Sequence, residues 1–109
     1  MRSNVTFTSD GLSCAGWLYV PDGLKDGERR PAIVMAHGFS AVKEMHLANF
    51  AEKFEEAGLV ALVFDYRYFG DSEGEPRARL FPTEQHEDYR NAITWVSQRP
   101  EVDPDRIGV

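Results

Sequence analysis

An α/β fold with parallel central strands is what this sequence predicts, and three observations carry it. Two apolar runs, Ile33 to Ala36 and Leu59 to Phe64, are continuous rather than alternating, as strands are when helices cover both faces of a sheet. Between them Leu47, Phe50, Ala51 and Phe54 fall at i, i+3, i+4 and i+7, the period of a helix with one buried face. Strand, helix and strand at this spacing make a βαβ unit with a right-handed crossover.

Asn4 to Thr8 reads as a first strand and Leu12 to Val20 as a second, with Asp10-Gly11 between them. An Asp-Gly pair between two such runs marks a hairpin. Pro21 ends the second strand, and a polar loop leads to the central strand, Pro31 to Ala36. That strand stops at His37-Gly38, where glycine permits a tight turn and close approach of another group. In open α/β sheets the carboxyl ends of strands are where ligands bind.

The first helix points Glu52, Lys53, Glu55 and Glu56 outward and closes at Gly58 in the C′ position. Asp65 to Pro82 shows no periodicity, and connections this long are often functional. Thr83 is the expected cap of a second helix. Tyr89, Ala92, Ile93 and Val96 are its buried stripe, and Pro100 marks its end. Asp103-Pro104-Asp105 reads as a turn, and a further strand starts at Arg106.

The 109 residues suffice for one domain at most. A net charge of −6 without any Lys/Arg cluster argues against nucleic acid as a partner. The start has no apolar core of a signal peptide, and the longest apolar run, Leu59 to Phe64, is too short for a bilayer. Cys14 is the single cysteine and cannot form an internal disulfide, so a reducing cytoplasm is the expected location. Cys14 falls in a strand and is expected in the core. His37, His46 and His86 match no zinc spacing, and no metal or organic cofactor is expected.

Four features coincide: the hairpin, a strand ending in His37-Gly38, a strand ending in Asp65-Tyr66-Arg67 with Gly70-Asp71-Ser72 beyond it, and Asp103-Pro104-Asp105-Arg106-Ile107-Gly108-Val109. Together, over essentially the whole chain, they resemble the N-terminal half of an α/β-hydrolase, in particular the dienelactone-hydrolase and acyl-esterase branch. The resemblance implies that residues 1–109 are the N-terminal portion of a single domain. It places the central strand between the Leu59 strand and the one starting at Arg106, so stopping at Val109 leaves Ile33 to Ala36 short of a neighbour.

The resemblance also implies site roles. The backbone N–H of Phe39 would donate to the oxyanion of acyl transfer, with His37 and Gly38 shaping that turn. Asp65, Arg67, Gly70 and Ser72 would shape the floor of the site. The nucleophile, in a Gly-x-Ser-x-Gly elbow or its cysteine variant, would follow the Arg106 strand, with the acid and the catalytic histidine later still. The intact parent would hydrolyse a carboxylic ester, thioester or lactone of a small acyl substrate, with no nucleic acid or membrane partner. The 109 residues alone would be inactive.

Ser72 and Ser40 lack the strand-turn-helix setting of a nucleophile and are expected to be turn residues. Trp17 and Trp95 read as core or interface aromatics. Glu84, Glu87 and Asp88 lie near a helix start, where they favour the macrodipole. Two other readings remain open. One is a nucleotide-binding module with Asp65 as the ribose acid, although Gly38 has no companion glycines for a Gly-x-Gly-x-x-Gly turn. The other is a truncated, non-catalytic relative of the hydrolases.

Overall fold

The computed structural model describes residues 2–9, 11–25, 27–36, 47–67, 72–73 and 82–109. Strands β1 (Arg2–Ser9) and β2 (Leu12–Tyr19) pair antiparallel from Ser9↔Leu12 to Arg2↔Tyr19. Two residues therefore close the hairpin, and Gly11 takes the left-handed φ of +77° that an Asp-Gly turn supplies. Strands β3 (Arg30–Ala36) and β4 (Val60–Phe64) flank helix α1 (Leu47–Glu56). Helix α2 (Pro82–Ser97) and strand β5 (Val102–Gly108) follow.

The five strands lie in the order β1-β2-β4-β3-β5. β3 is parallel to both neighbours, while β2 joins β4 antiparallel through Gly16↔Phe64 to Tyr19↔Ala61. All five residues of β4 are buried, which is why its apolar run does not alternate. Val60, Leu62 and Phe64 pack with Ala92 and Val96 of α2, whereas Ala61 and Val63 pack with Ala51 of α1. The sheet is thus covered by one helix on each face.

α1 ends as its sequence requires. Leu59 N–H donates to Phe54 O at 3.0 Å and Gly58 N–H to Glu55 O at 2.9 Å. This is the paired-bond cap in which a glycine takes positive φ, and Gly58 sits at +91°. The expected stripe differs at Phe50, which is 56% exposed. α1 meets the sheet through Ala51 and Phe54, and this turns Phe50 outward.

Two further boundaries depart from expectation. Thr83 does not cap α2: the helix already includes Pro82, whose fixed φ suits a first helical position. Asp103-Pro104-Asp105 does not precede β5 but lies inside it. Arg30 faces Val102 and Ala32 faces Ile107, so the residues between Val102 and Ile107 bulge out against a single residue of β3. The turn chemistry read from the sequence holds that bulge. Asp103 accepts from Asp105 N–H at 3.0 Å and Arg106 Nε at 2.8 Å, and those bonds keep its carboxyl below the ordinary range.

Gly16 is buried where β2 crosses to β4. A Cβ there would lie 2.9 Å from the Val63 carbonyl oxygen and 3.2 Å from Leu62 Cδ1. Alanine gains about 0.5–1 kcal/mol from backbone entropy, whereas forced overpacking costs about 1–3 kcal/mol. Gly16→Ala is therefore expected to lower the urea midpoint at unchanged m-value; an equal or higher midpoint would show that β2 and β4 can separate freely.

Candidate active site

β3 and β4 are parallel with Ala36 beside Phe64, so the chain leaves both strands at the same edge of the sheet. His37, Gly38, Phe39 and Ser40, which follow β3, lie outside the described residues, as do His46, Gly70 and Asp71. Asp65, Arg67 and Ser72, which follow β4, are described and are 1%, 2% and 2% exposed. Three such polar residues in the interior require partners.

Asp65 N–H donates to Ala15 O at 2.9 Å, carrying the β2–β4 ladder one residue past the strand. Ser72 Oγ donates to Asp65 O at 2.6 Å and accepts from Ala15 N–H at 2.8 Å. Glu73 continues the strap: its N–H donates to Ser13 O, and its carboxylate accepts from Ser13 N–H, each at 2.8 Å. The Ser72 hydroxyl is therefore a buried staple between β2 and the segment after β4, a setting unlike that of an exposed nucleophile.

Arg67 is held from α2. Its N–H donates to Asp88 Oδ2 and its Nε to Asp88 Oδ1, both at 2.8 Å, and its terminal nitrogen reaches Glu87 Oε1 at 2.7 Å and Ser9 Oγ at 3.1 Å. Ser9 Oγ donates to Asp88 Oδ1 at 2.6 Å and accepts from Asn91 Nδ2 at 3.0 Å. One hydroxyl thus uses its donor and both acceptor sites. Burial opposes the Arg67 charge, but the bonds to Glu87 and Asp88 and their charges outweigh it and hold the guanidinium protonated more firmly than usual.

Asp88 corrects the sequence expectation. It lies well inside α2, is 0% exposed, and serves Arg67 rather than the helix macrodipole. The signal was present: Asp88 stands four residues before Ala92 on the buried stripe, and a carboxylate there demands an internal cation. Ser9 and Asn91 carried no comparable signal. His86 lies on an exposed part of α2, and among the described residues no group of acids, histidines or cysteine could hold a metal ion. No helix among them is long and apolar enough to cross a membrane.

Hollows of about 270 and 330 Å³ occur near Leu24 and Glu101 and near Arg30 and Gly58. Both sit where the parallel strands begin, the end opposite to the one at which such sheets bind ligands. Cys14 is fully buried, and burial, then the Asp88 charge, pushes its thiol up to about 12. It is a core residue and no nucleophile.

Residues 10–109 match the X-Pro dipeptidyl-peptidase (S15) family. The chain belongs to that family. It is 47% identical to a thiohydrolase of Aspergillus aculeatus over 98% of its own length and 32% of that protein. It is 43% identical to a quorum-quenching protein of Acinetobacter baumannii over 95% of its length and 33% of that protein. The solved α/β-hydrolase GrgF from a Penicillium species superposes with a TM-score of 0.90 at 37% identity, over 98% of this chain and 36% of that one. This S15-family chain therefore has the α/β-hydrolase fold, in its N-terminal portion, as the sequence resemblance implied. It spans about a third of the length of the curated relatives it matches.

Removing one partner of a buried pair typically costs about 3–5 kcal/mol, because a charge is left without compensation. Asp88→Ala is expected to destabilise by that amount in urea unfolding, and Arg67→Met combined with Asp88→Leu by less than the sum of the single changes. Strict additivity would show that the two side chains do not depend on each other.

The Cys14 thiol, ordinarily near 9.0, and the Tyr66 phenol, ordinarily near 10.0, are both pushed up to about 12, first by burial. Each raised value means that the neutral form is favoured in the fold. The associated stability is complete below the unfolded value and is lost as pH rises toward the folded one. Stability should therefore decline from pH 9, steepening above 10, and Cys14→Ala should delay the onset to pH 10. An onset unchanged by that substitution would remove Cys14 from the account.

Proposed function

We propose that the protein carrying this chain hydrolyses carboxylic ester, thioester or lactone bonds, with the nucleophile, the acid and the catalytic histidine beyond Val109. The nucleophile attacks the acyl carbon, the tetrahedral intermediate expels the alcohol or thiol, and water releases the acid from the acyl-enzyme. The Phe39 backbone N–H donates to the oxyanion, with His37 and Gly38 setting the turn. Asp65, Arg67, Gly70 and Ser72 form the floor. The residues of this chain need no metal or organic cofactor for these roles.

The observation that carries this reading is the parallel register of β3 and β4, which sends the His37 and Asp65 segments off one sheet edge. The thiohydrolase and quorum-quenching relatives support it. The buried staples of Arg67 and Ser72 support a structural part for the Asp65 segment, because their polar groups are engaged with the protein itself.

The test uses protein extended past Val109 to the length of its relatives, assayed on p-nitrophenyl esters and acyl thioesters. Turnover and labelling by a serine- or cysteine-directed probe at an elbow following β5 are expected. Phe39→Ala keeps the N–H and should alter mainly KM. Phe39→Pro removes it and should lower kcat about a hundredfold or more, in line with the roughly 3 kcal/mol of one oxyanion donor. The Pro variant must melt near the parent temperature, since proline also fixes φ. Absence of turnover and labelling would sink the hydrolase reading; equal kcat in the two folded variants would sink the donor role of Phe39.

A further inference from the structure

Ser72 sits inside a strand ladder rather than beside it. The β2–β4 register pairs Gly16 with Phe64. Carried on, it sets Ala15 opposite Asp65 and Ser13 opposite Arg67. In an antiparallel ladder such alternate pairs exchange two bonds, N–H to C=O in each direction. Between Ala15 and Asp65 the first is made directly, Asp65 N–H donating to Ala15 O at 2.9 Å. The second is interrupted. Ala15 N–H donates to Ser72 Oγ at 2.8 Å, and the same hydroxyl donates to Asp65 O at 2.6 Å. One O–H bridges the two groups because it both accepts and donates.

At Ser13 the partner has changed altogether. Ser13 O accepts from Glu73 N–H and Ser13 N–H donates to the Glu73 carboxylate, each at 2.8 Å. Those are the two positions that the Arg67 main chain takes in a continued ladder. Arg67 N–H turns instead to Asp88 Oδ2 on α2, at 2.8 Å.

We propose that the segment after β4 has two registers, and that Ser72 and Asp88 are positioning residues that select the one observed. In the second register β4 runs on beside β2 through Arg67, and Glu73 gives up Ser13. Ser13 and Ala15 keep their main-chain bonds in either arrangement, so side chains decide between them. The Ser72 hydroxyl, 2% exposed, wedges Ala15 N–H and Asp65 O apart. The Asp88 carboxylate draws the Arg67 N–H and guanidinium to α2 with charge-assisted bonds. The inference rests on the reading above that this segment floors an acyl-transfer site, and it gives Ser72 an effect on the reaction without contact with the reacting atoms.

Ser72→Ala in protein extended to the length of its relatives tests it, because the hydroxyl alone is lost. Ala15 N–H and Asp65 O should then close on each other. Exchange of the Ala15 amide should change less than about twofold, while the Glu73 amide, displaced from Ser13, accelerates about tenfold, the factor for one lost hydrogen bond. A floor moved by about 1 Å should lower kcat on the order of a hundredfold at nearly constant KM. If Ser72→Ala does not fold, Arg67→Met combined with Asp88→Leu frees the same segment from α2. The Glu73 amide should again accelerate while the amide at position 67 stays protected. Acceleration at Ala15 in the first variant, or at position 67 in the second, with Glu73 unchanged, would overturn the second register and make Ser72 a fixed staple. The expected exchange pattern with unchanged kcat would overturn the positioning role. A parent protein without turnover counts against the hydrolase reading instead, and exchange then decides the register by itself.

Discussion

A guanidinium that is 2% exposed has lost nearly all its water, and the position of Arg67 after β4 depends on the groups that replace that water, Asp88 first among them. The replacement is bidentate: backbone N–H and Nε of Arg67 each meet one carboxylate oxygen at 2.8 Å. Charge-assisted bonds of this kind are the stronger class of hydrogen bond and also fix geometry. Because Ser9 joins the same carboxylate at 2.6 Å, the pair ties together the last residue of β1, the segment leaving β4 and the middle of α2. Shifting any of these would strand a charge in the interior, so their relative positions are coupled.

The pair stands beside a second set of polar staples with a different task. Ser72 and Glu73 satisfy the main chain of β2 at Ser13 and Ala15, beyond the point at which β4 ends. The segment after β4 is thereby anchored to α2 on one side and to β2 on the other. That segment lies at the carboxyl edge of the parallel strands, where Ala36 stands beside Phe64. Phe64, ringed edge-on by Phe7, Tyr66 and Tyr89, fills the space under that edge.

Much of the fold was legible because it rests on local pattern. The continuous run ending at Phe64 became a strand buried on both faces, and Gly58 took the cap its place after the helix implied. Errors arose where two segments meet. Phe50 lies on the apolar period of α1, yet the close approach made possible by Ala51 turned it outward. Asp103-Pro104-Asp105 has turn chemistry and makes a turn, but pairing of Val102 with Arg30 put that turn inside a strand. Asp65, Arg67 and Ser72, singled out from sequence as candidate site residues, are buried as polar groups; of the groups that hold them, Asp88 left a signal in the buried stripe of α2, whereas Ser9 and Asn91 left none.

The sequence by itself determined the alternation of strands and helices and the parallel character of the central strands. These follow from periodicity, turn residues and the solvent preference of side chains, which act over a few residues at a time. Only the tertiary structure decided that Asp88 answers Arg67 across 21 residues and that Ser9 closes their network from the other end of the chain. Those pairings depend on which surfaces the packed sheet and helices bring within hydrogen-bonding distance of each other, and no local pattern encodes that distance.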